Sequence, residues 1–445
     1  MSILFSVLLP VFYLLLFSWM LGRLNYFRSS PFSTKGLTFA FLLKIFSGVF
    51  VFLIYTYYYP NRLEADTFRY FDDSHYMFNA IKDSPIDYLK MLTGIGCDSE
   101  YFNESYFNHM NNWFRPYDDG LFNDNRLIIR INALIRLISF GNYHVHSIII
   151  NFISFIGLLE LSKFLFQFNF SKLKVYFVLF LIPSFVFWSS GILKETILMA
   201  AVGVLLNQSF HFFNKRKTLL RLFLMLISFS AMIILKVYIL VCFLPIIFYI
   251  ISNSILNHKQ KLVLPVITTL LLFLLFPMLS NGMNPIQIIV DKQHNFIGLV
   301  ESLNARSRID IPYLDGSISE LFYAIPQAIF NSALRPLPTD LNSAMIILPF
   351  LENLFLLVLI YMLLTQKSKT ILTSSQKELF AQMIFAILFL FVLIGMTTPV
   401  IGAIVRYKTP VLPFLFLIIL SKINFEKFKK FQFFDQNIDI FRKTI

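Results

Sequence analysis

Long apolar runs separated by short polar segments dominate this sequence. Runs of about 17–25 apolar residues recur, and each is long enough to cross the roughly 30 Å hydrocarbon core of a bilayer as a helix. We therefore predict an all-α, polytopic transmembrane helical bundle of about eleven spans. The predicted spans are Ile3–Leu21, Leu37–Tyr59, Tyr143–Phe166, Val175–Ser190, Gly191–Phe213, Leu219–Leu235, Tyr238–Leu256, Leu262–Ser280, Ala344–Leu364, Leu379–Thr397 and Ile401–Leu420.

Three segments need a separate interpretation. Leu127–Phe140 and Leu321–Leu334 are apolar but only about 14 residues long, which suits interfacial or re-entrant helices in the outer loop region better than full spans. The first run, Ile3–Leu21, lacks a positive n-region and a small-residue cleavage site, so we interpret it as a retained first span.

Basic residues follow an alternating pattern that predicts the orientation of the spans. More than half of the chain's 38 Lys and Arg residues lie in every second connection and in the tail, in the segments 23–35, 163–174, 215–221, 259–261, 367–377 and 421–445. Because Lys and Arg collect in cytoplasmic loops, we expect the N-terminus outside and the C-terminus in the cytoplasm of a multi-pass cell-membrane protein. From the overall style of the chain, we expect this membrane to be the bacterial inner membrane. This pattern accounts for the net charge of +13, so we expect no nucleic-acid partner.

The polar segment 61–126 departs most from this apolar background. It holds about half of the chain's 25 Asp and Glu residues. We interpret residues 1–445 as one transmembrane domain that carries this acidic extracytoplasmic loop, a second extracytoplasmic segment at 281–343 and a basic cytoplasmic tail at 421–445.

The acidic loop opens with the candidate catalytic residues Asp66, Asp72 and Asp73. A carboxylate at the membrane surface can act as a general base on a hydroxyl or hold a divalent cation, so the metal ligands, if any, stay open. The alternative is a solvated loop end with a helix cap. No Walker, dinucleotide-binding or zinc-protease motif is present, and the histidines lack zinc-ligand spacing, so no cofactor other than a possible divalent cation is indicated.

Cationic clusters occur in the other predicted outer connections. Lys194 and Glu195 lie within the first turns of the span Gly191–Phe213, which follows Ser189 and Ser190, and ionisable groups at that depth are usually paired or functional. The remaining candidates for binding substrate or phosphate are Arg306, Arg308, Arg335, Arg406, Tyr407 and Lys408. For these, and for Lys236 between two spans, anchoring to lipid headgroups is the competing interpretation.

These landmarks resemble the GT-C class of membrane glycosyltransferases. The resembling features are the run from Asp72 to Ala80, the hairpin from Pro183 to Glu195 and the late Arg406-Tyr407-Lys408-x-Pro410. The acidic loop follows the second span here, whereas the class commonly places it after the first.

The resemblance implies an enzyme that moves a sugar from a polyprenyl-phosphate donor to a hydroxyl of a glycan or lipid acceptor in cell-surface glycan synthesis. Asp66, Asp72 or Asp73 would be the base or a metal ligand. Lys194, Arg335 and Arg406 would contact the phosphate, and Glu195 would position Lys194.

Two other functions remain open at this point. A Wzy-like polysaccharide polymerase is similar in its many spans and large outer loops, and it would make Arg306, Arg308 and Arg335 central. A lipid or glycan transporter is the alternative from a different class, although transporters favour ionisable groups near the midplane and repeated halves.

Overall fold

The computed structural model describes residues 3–59, 61–114, 123–279, 284–302, 307–366 and 372–424. These segments are helical, with one isolated β-bridge between Arg308 and Val400. The α-helices are α1 (Ile3–Arg23), α2 (Asn25–Arg28), α3 (Thr34–Tyr57), α4 (Asp66–Asp83), α5 (Pro85–Thr93), α6 (Glu100–Ser105), α7 (Asn125–Ser139), α8 (Tyr143–Phe166), α9 (Lys172–Phe180), α10 (Pro183–Trp188), α11 (Lys194–Asn214), α12 (Leu219–Ser252), α13 (His258–Leu279), α14 (Pro285–Ser302), α15 (Ile318–Leu334), α16 (Ala344–Thr365), α17 (Ser374–Thr397), α18 (Ile401–Tyr407) and α19 (Leu412–Lys422).

Nine helical segments among the described residues are long and apolar enough to cross a membrane. They are α1, α3, α8, α11, α12, α13, α16, α17 and the segment from α18 to α19. The all-α class and the presence of many long apolar helices are therefore confirmed, and the architecture is compatible with a multi-pass membrane protein. The number of about eleven spans stays a prediction. Most of the predicted basic tail, residues 425–445, lies outside the described residues.

The long helix α12 reverses its direction at Lys236. The backbone there leaves the helical region, with φ −156° and ψ 86°. Lys236 contacts Glu195 at the start of α11, whereas Ile250 accepts a hydrogen bond from Asn214 at the end of α11. Since α11 spans about 30 Å, the chain must approach the start of α11 and then return. The two predicted segments around Lys236 are thus antiparallel arms of one continuous hairpin.

The predicted span Val175–Ser190 is interrupted in the structure. Helix α9 ends at Phe180 and α10 begins at Pro183, whose ring suits the first position of a helix and lacks an N–H. The backbone N–H of Ser184 donates to the buried carboxylate of Glu352 at 2.7 Å. A side-chain acceptor therefore replaces the backbone hydrogen bond that the interrupted helix would have made.

A layer of shorter helices, α4 to α7, covers one end of the bundle. Helix α7 covers the predicted interfacial segment Leu127–Phe140 except for its last residue, and it packs against α4. The buried Arg136 donates from Nε to the hydroxyl of Ser74 at 2.7 Å and lies over the ring of Phe71. Arg130 lies over Trp113. Arg130 and Arg136 of α7 therefore hold the acidic loop together.

Two glycines set the distance between α8 and α11. A Cβ on Gly203 would lie 1.9 Å from the carbonyl oxygen of Gly157, and a Cβ on Gly157 would lie 2.2 Å from the Cα of Ala200. Backbones approach this closely only where both helices present small residues, as membrane helices often do. This contact fixes the position of α11 against α8, and therefore also the position of Glu195 in the first turn of α11.

We predict that Gly203→Ala lowers the unfolding midpoint of the purified protein, because the methyl group overpacks this contact by about 2 kcal/mol or more. Gly298→Ala is the matched control, since a Cβ on that helical glycine meets nothing within 4 Å. Alanine is favoured over glycine in helices, so the control should be neutral or slightly stabilised. Equal midpoints for the two variants would contradict the close crossing.

Candidate functional site

Four charged side chains from distant parts of the chain form one network, which we call the charge network. Arg406 donates from Nη1 to Asp66 Oδ2 and from Nη2 to Glu195 Oε2, both at 2.8 Å. Lys236 donates from Nζ to the other oxygen, Glu195 Oε1, also at 2.8 Å. Glu195 thus bridges two cations, and Arg406 bridges two carboxylates.

Secondary structure positions each member. Asp66 is the first residue of α4 and Glu195 is in the first turn of α11. Lys236 is the reversal point of α12, and Arg406 is in the last turn of the short helix α18. The backbone just before α18 is fixed by a hydrogen bond, because the N–H of Ile309 donates to the carbonyl of Pro399 at 2.9 Å. Turns and helix ends therefore carry all four charges.

Burial differs among the members and sets their roles. The side chain of Glu195 is 1% exposed, and those of Lys236 and Arg406 are 10% and 13% exposed. Asp66 is 31% exposed, so the network opens toward solvent through Asp66. Two cations and two carboxylates balance in charge, as charges in an apolar surrounding must.

Aromatic rings enclose the network. Lys236 lies 4.2 Å from the ring centre of Tyr407 and 5.8 Å from that of Tyr238. The guanidinium of Arg406 lies 5.4 Å from the ring centre of Trp188. Cations over aromatic faces are stabilised further when water is excluded. Tyr407, a predicted substrate-binding residue, therefore contacts the network directly.

A second ion pair lies beside the charge network. Lys194 donates to Asp124 Oδ2 at 2.7 Å and to Asn125 Oδ1 at 2.8 Å. The same ammonium lies 5.6 Å from the ring centre of Tyr70. The prediction that Glu195 positions Lys194 is therefore wrong in the structure. Successive residues of a helix point in different directions, so Lys194 pairs with the acidic loop and Glu195 with Lys236 and Arg406.

The three candidate aspartates have different environments. Asp66 joins the charge network. Asp72 forms a two-pronged ion pair with the largely exposed Arg62, with both distances 2.8 Å. Asp73 is fully buried and accepts the backbone N–H groups of Asn111 and Asn112 at 2.8 and 2.7 Å. Only Asp66 is thus brought to the predicted phosphate-binding cations.

The other predicted arginines lie elsewhere. Arg335 pairs with Asp340 at 2.6 Å, and Arg308 forms an exposed pair with Glu301 at 3.3 Å. Arg306 lies outside the described residues. Neither Arg308 nor Arg335 contacts the charge network, so their predicted role as its phosphate-binding partners lacks support from the contacts.

Lys408 is buried among neutral acceptors rather than exposed. Its Nζ donates to the carbonyl oxygens of Ser332 and Arg335 at 3.3 and 3.2 Å, and to the side-chain oxygen of Asn353 at 3.3 Å. It fastens the end of α15 to α16 and α18. These contacts indicate that Lys408 has a structural role.

The sequence patterns missed two groups and misread a third. Lys44 in α3 is buried and donates to the carbonyl oxygen of Ser189, and to its hydroxyl at 3.0 Å. A lysine inside an apolar run was the available signal. Tyr70 follows Asp66 by four residues and so shares its helical face. Lys236, for which headgroup anchoring was the alternative, instead pairs with Glu195.

Metal ligands and relatives add no assignment. Within the described part of the chain, no group of three or more His, Cys, Asp or Glu side chains could hold a metal ion. The chain matches no protein-family model, no curated protein and no solved structure. The functional argument therefore depends on the charge network itself.

We predict that Glu195→Gln destabilises the protein by about 3–5 kcal/mol. The change leaves the buried Lys236 without a countercharge and removes one of the two carboxylate partners of Arg406. Asp72→Asn, which breaks an exposed pair, is the control and should cost less than about 1 kcal/mol. Thermal unfolding in one detergent measures both variants. A small effect of Glu195→Gln would contradict the bridging role of this carboxylate.

We also predict a pH-dependent contribution from Asp73. Burial raises the pKa of this carboxyl from 3.8 to about 6, against the opposing effect of its two backbone donors. The folded state therefore binds the proton more tightly, and the resulting stability is lost as the pH rises through about 6. The stability advantage of the wild type over Asp73→Asn should be larger at pH 5 than at pH 7. A difference that does not change with pH would contradict this.

Proposed function

We propose that the protein is an integral membrane glycosyltransferase of cell-surface glycan synthesis. It moves a sugar from a polyprenyl-phosphate-linked donor to a hydroxyl of a glycan or lipid acceptor at the outer face of the membrane. The observation that carries the proposal is the pairing of Asp66, the exposed member of the network, with the buried Arg406. A candidate base and a candidate phosphate-binding group thus lie side by side at the edge of an apolar bundle.

Asp66 acts as the general base. Its Oδ2 accepts from Arg406 and the side chain is 31% exposed, so we assign the role of base to Oδ1. The acceptor hydroxyl gives its proton to this oxygen, and the acceptor oxygen forms a bond to the anomeric carbon. The bond from that carbon to the phosphate oxygen breaks, and the phosphate leaves with the electron pair.

Arg406 and Lys194 bind the leaving phosphate. Arginine matches phosphate oxygens with paired N–H donors, and lysine adds a point charge. Lys194 and the Nη atoms of Arg406 are paired with carboxylates in the structure, so a phosphate that binds these atoms takes the place of a carboxylate. When it takes the face of Arg406 that Asp66 occupies, the Asp66 carboxylate is released from this ion pair. Donor binding then prepares the base for the acceptor.

A topology of eleven spans accompanies this proposal. The two arms of α12 count separately, and α9 with α10 forms one broken span. The N-terminus then lies outside, the C-terminus lies in the cytoplasm, and the charge network lies at the outer boundary. The alternation of basic connections supports this orientation, and the bacterial inner membrane is the membrane we propose.

The contacts favour transfer over the competing functions. A polymerase that depends on Arg308 and Arg335 would need those side chains near the reacting groups, but they pair with Glu301 and Asp340 instead. A transporter would favour charges at the midplane, whereas the network occupies helix ends and turns.

The proposal predicts that Asp66→Asn lowers sugar transfer at least about a hundredfold, because it removes the general base. Asp72→Asn should retain transfer. The assay uses purified protein in nanodiscs with a prenyl-phosphate-linked sugar, and folded yield is measured for each variant. Full activity of a well-folded Asp66→Asn variant would overturn the assignment of the base.

The product of the same assay separates the enzyme classes. One added sugar per acceptor supports the transferase. A ladder of repeat-unit multiples would indicate a polymerase. Movement of labelled lipid across vesicles without a new glycosidic bond would indicate a transporter.

A further inference from the structure

Two polar atoms at the charge network are buried without a hydrogen-bond partner among the described residues. They are the hydroxyl of Tyr70 and Nε of Arg406. Buried polar groups in native proteins are nearly always bonded, so each exception needs an explanation. Arg406 belongs to the network itself, and Tyr70 lies one helical turn after Asp66 in α4. These unpaired atoms therefore belong to the region of the candidate site.

Tyr70 lies between the two ion-paired clusters. It is fully buried and is one helical turn after Asp66 on the same face of α4. On its other side, Lys194 lies 5.6 Å from the ring centre. Burial raises the pKa of Tyr70 well above its usual value; Asp66, Asp124 and Glu195 add to this rise, and Arg406 opposes it. The hydroxyl thus keeps its proton and is available as a donor.

The chemistry of the unpaired atoms indicates what is missing. Arginine Nε can only donate a hydrogen bond, whereas the phenol of Tyr70 can donate or accept one. Arg406 Nε therefore needs an acceptor, and the Tyr70 hydroxyl can donate to the same group. A phosphate group supplies several acceptor oxygens and no donor when it is ionised, whereas a sugar hydroxyl would bring a further donor.

We propose that the Tyr70 hydroxyl and Arg406 Nε bind the phosphate of a prenyl phosphate, with Tyr70 as a substrate-binding residue that spans the two ion-paired clusters. The inference rests on the proposed function, since it assigns the donor phosphate to this position. In the ligand-free protein, Tyr70 then keeps an unpaired hydroxyl at a cost in stability, which binding of the phosphate removes.

The test compares Tyr70→Phe with Tyr88→Phe. Tyr88 belongs to the same outer layer, but its hydroxyl is paired with the carbonyl of Ala133 at 3.2 Å. The full-length protein in nanodiscs is titrated with farnesyl phosphate, with farnesol, which has the same chain without phosphate, and with inorganic phosphate. Dissociation constants and ligand-free unfolding midpoints are measured for the wild type and both variants.

Tyr70→Phe should weaken farnesyl phosphate binding by roughly tenfold or more. Farnesol binding should not change, and the ligand-free midpoint should be equal or higher. Tyr88→Phe should lower the midpoint and keep the affinity. An equal loss of inorganic phosphate binding in Tyr70→Phe would support a site that recognises the phosphate without its chain.

Three results would overturn the inference. The first is that Tyr70→Phe binds farnesyl phosphate as tightly as the wild type does. The second is that Tyr70→Phe lowers the ligand-free unfolding midpoint as Tyr88→Phe does, which would indicate a water-bridged structural hydroxyl, and the third is that the wild type does not prefer farnesyl phosphate to farnesol. If sugar transfer depends on Asp66 but the affinity for farnesyl phosphate does not depend on Tyr70, the inference fails and the proposed function stands. If binding depends on Tyr70 but no sugar is transferred, the proposed function fails and the phosphate site stands.

Discussion

The carboxylate of Glu195 is the constraint on which the candidate site depends. It is almost completely buried, yet it carries a charge that apolar surroundings cannot tolerate alone. Lys236 and Arg406 each take one of its oxygens at 2.8 Å. Removing either cation would leave an uncompensated charge, so the reversal of α12 and the end of α18 are both held against the start of α11.

This interaction connects the fold to the proposed chemistry. The buried carboxylate holds Arg406 in place, and Arg406 in turn pairs with Asp66, the most exposed member of the network. The close approach of α8 and α11 at Gly157 and Gly203 sets where Glu195 lies. Packing inside the bundle therefore determines the geometry of the charged site.

The sequence predicts the helical class and most helix positions, because a run long enough for the bilayer is a local property. The pairing of charges is not local. Arg406 pairs with Asp66, which lies 340 positions earlier in the sequence. No spacing rule could therefore identify Asp66, rather than Asp72 or Asp73, as the partner of Arg406. The expectation that Glu195 serves its neighbour Lys194 failed for the same reason. The break at Pro183 was hidden because the run is continuously apolar, and its acceptor, Glu352, is supplied by another helix.

A double-mutant cycle between Glu195 and Arg406 tests the central claim most directly. Unfolding free energies would be measured for Glu195→Gln, Arg406→Gln and the double variant in one detergent. If the two side chains form the buried bridge, the double variant should be less destabilised than the sum of the single variants, by about 1 kcal/mol or more. Additive effects would show that the two groups do not interact and would contradict the charge network.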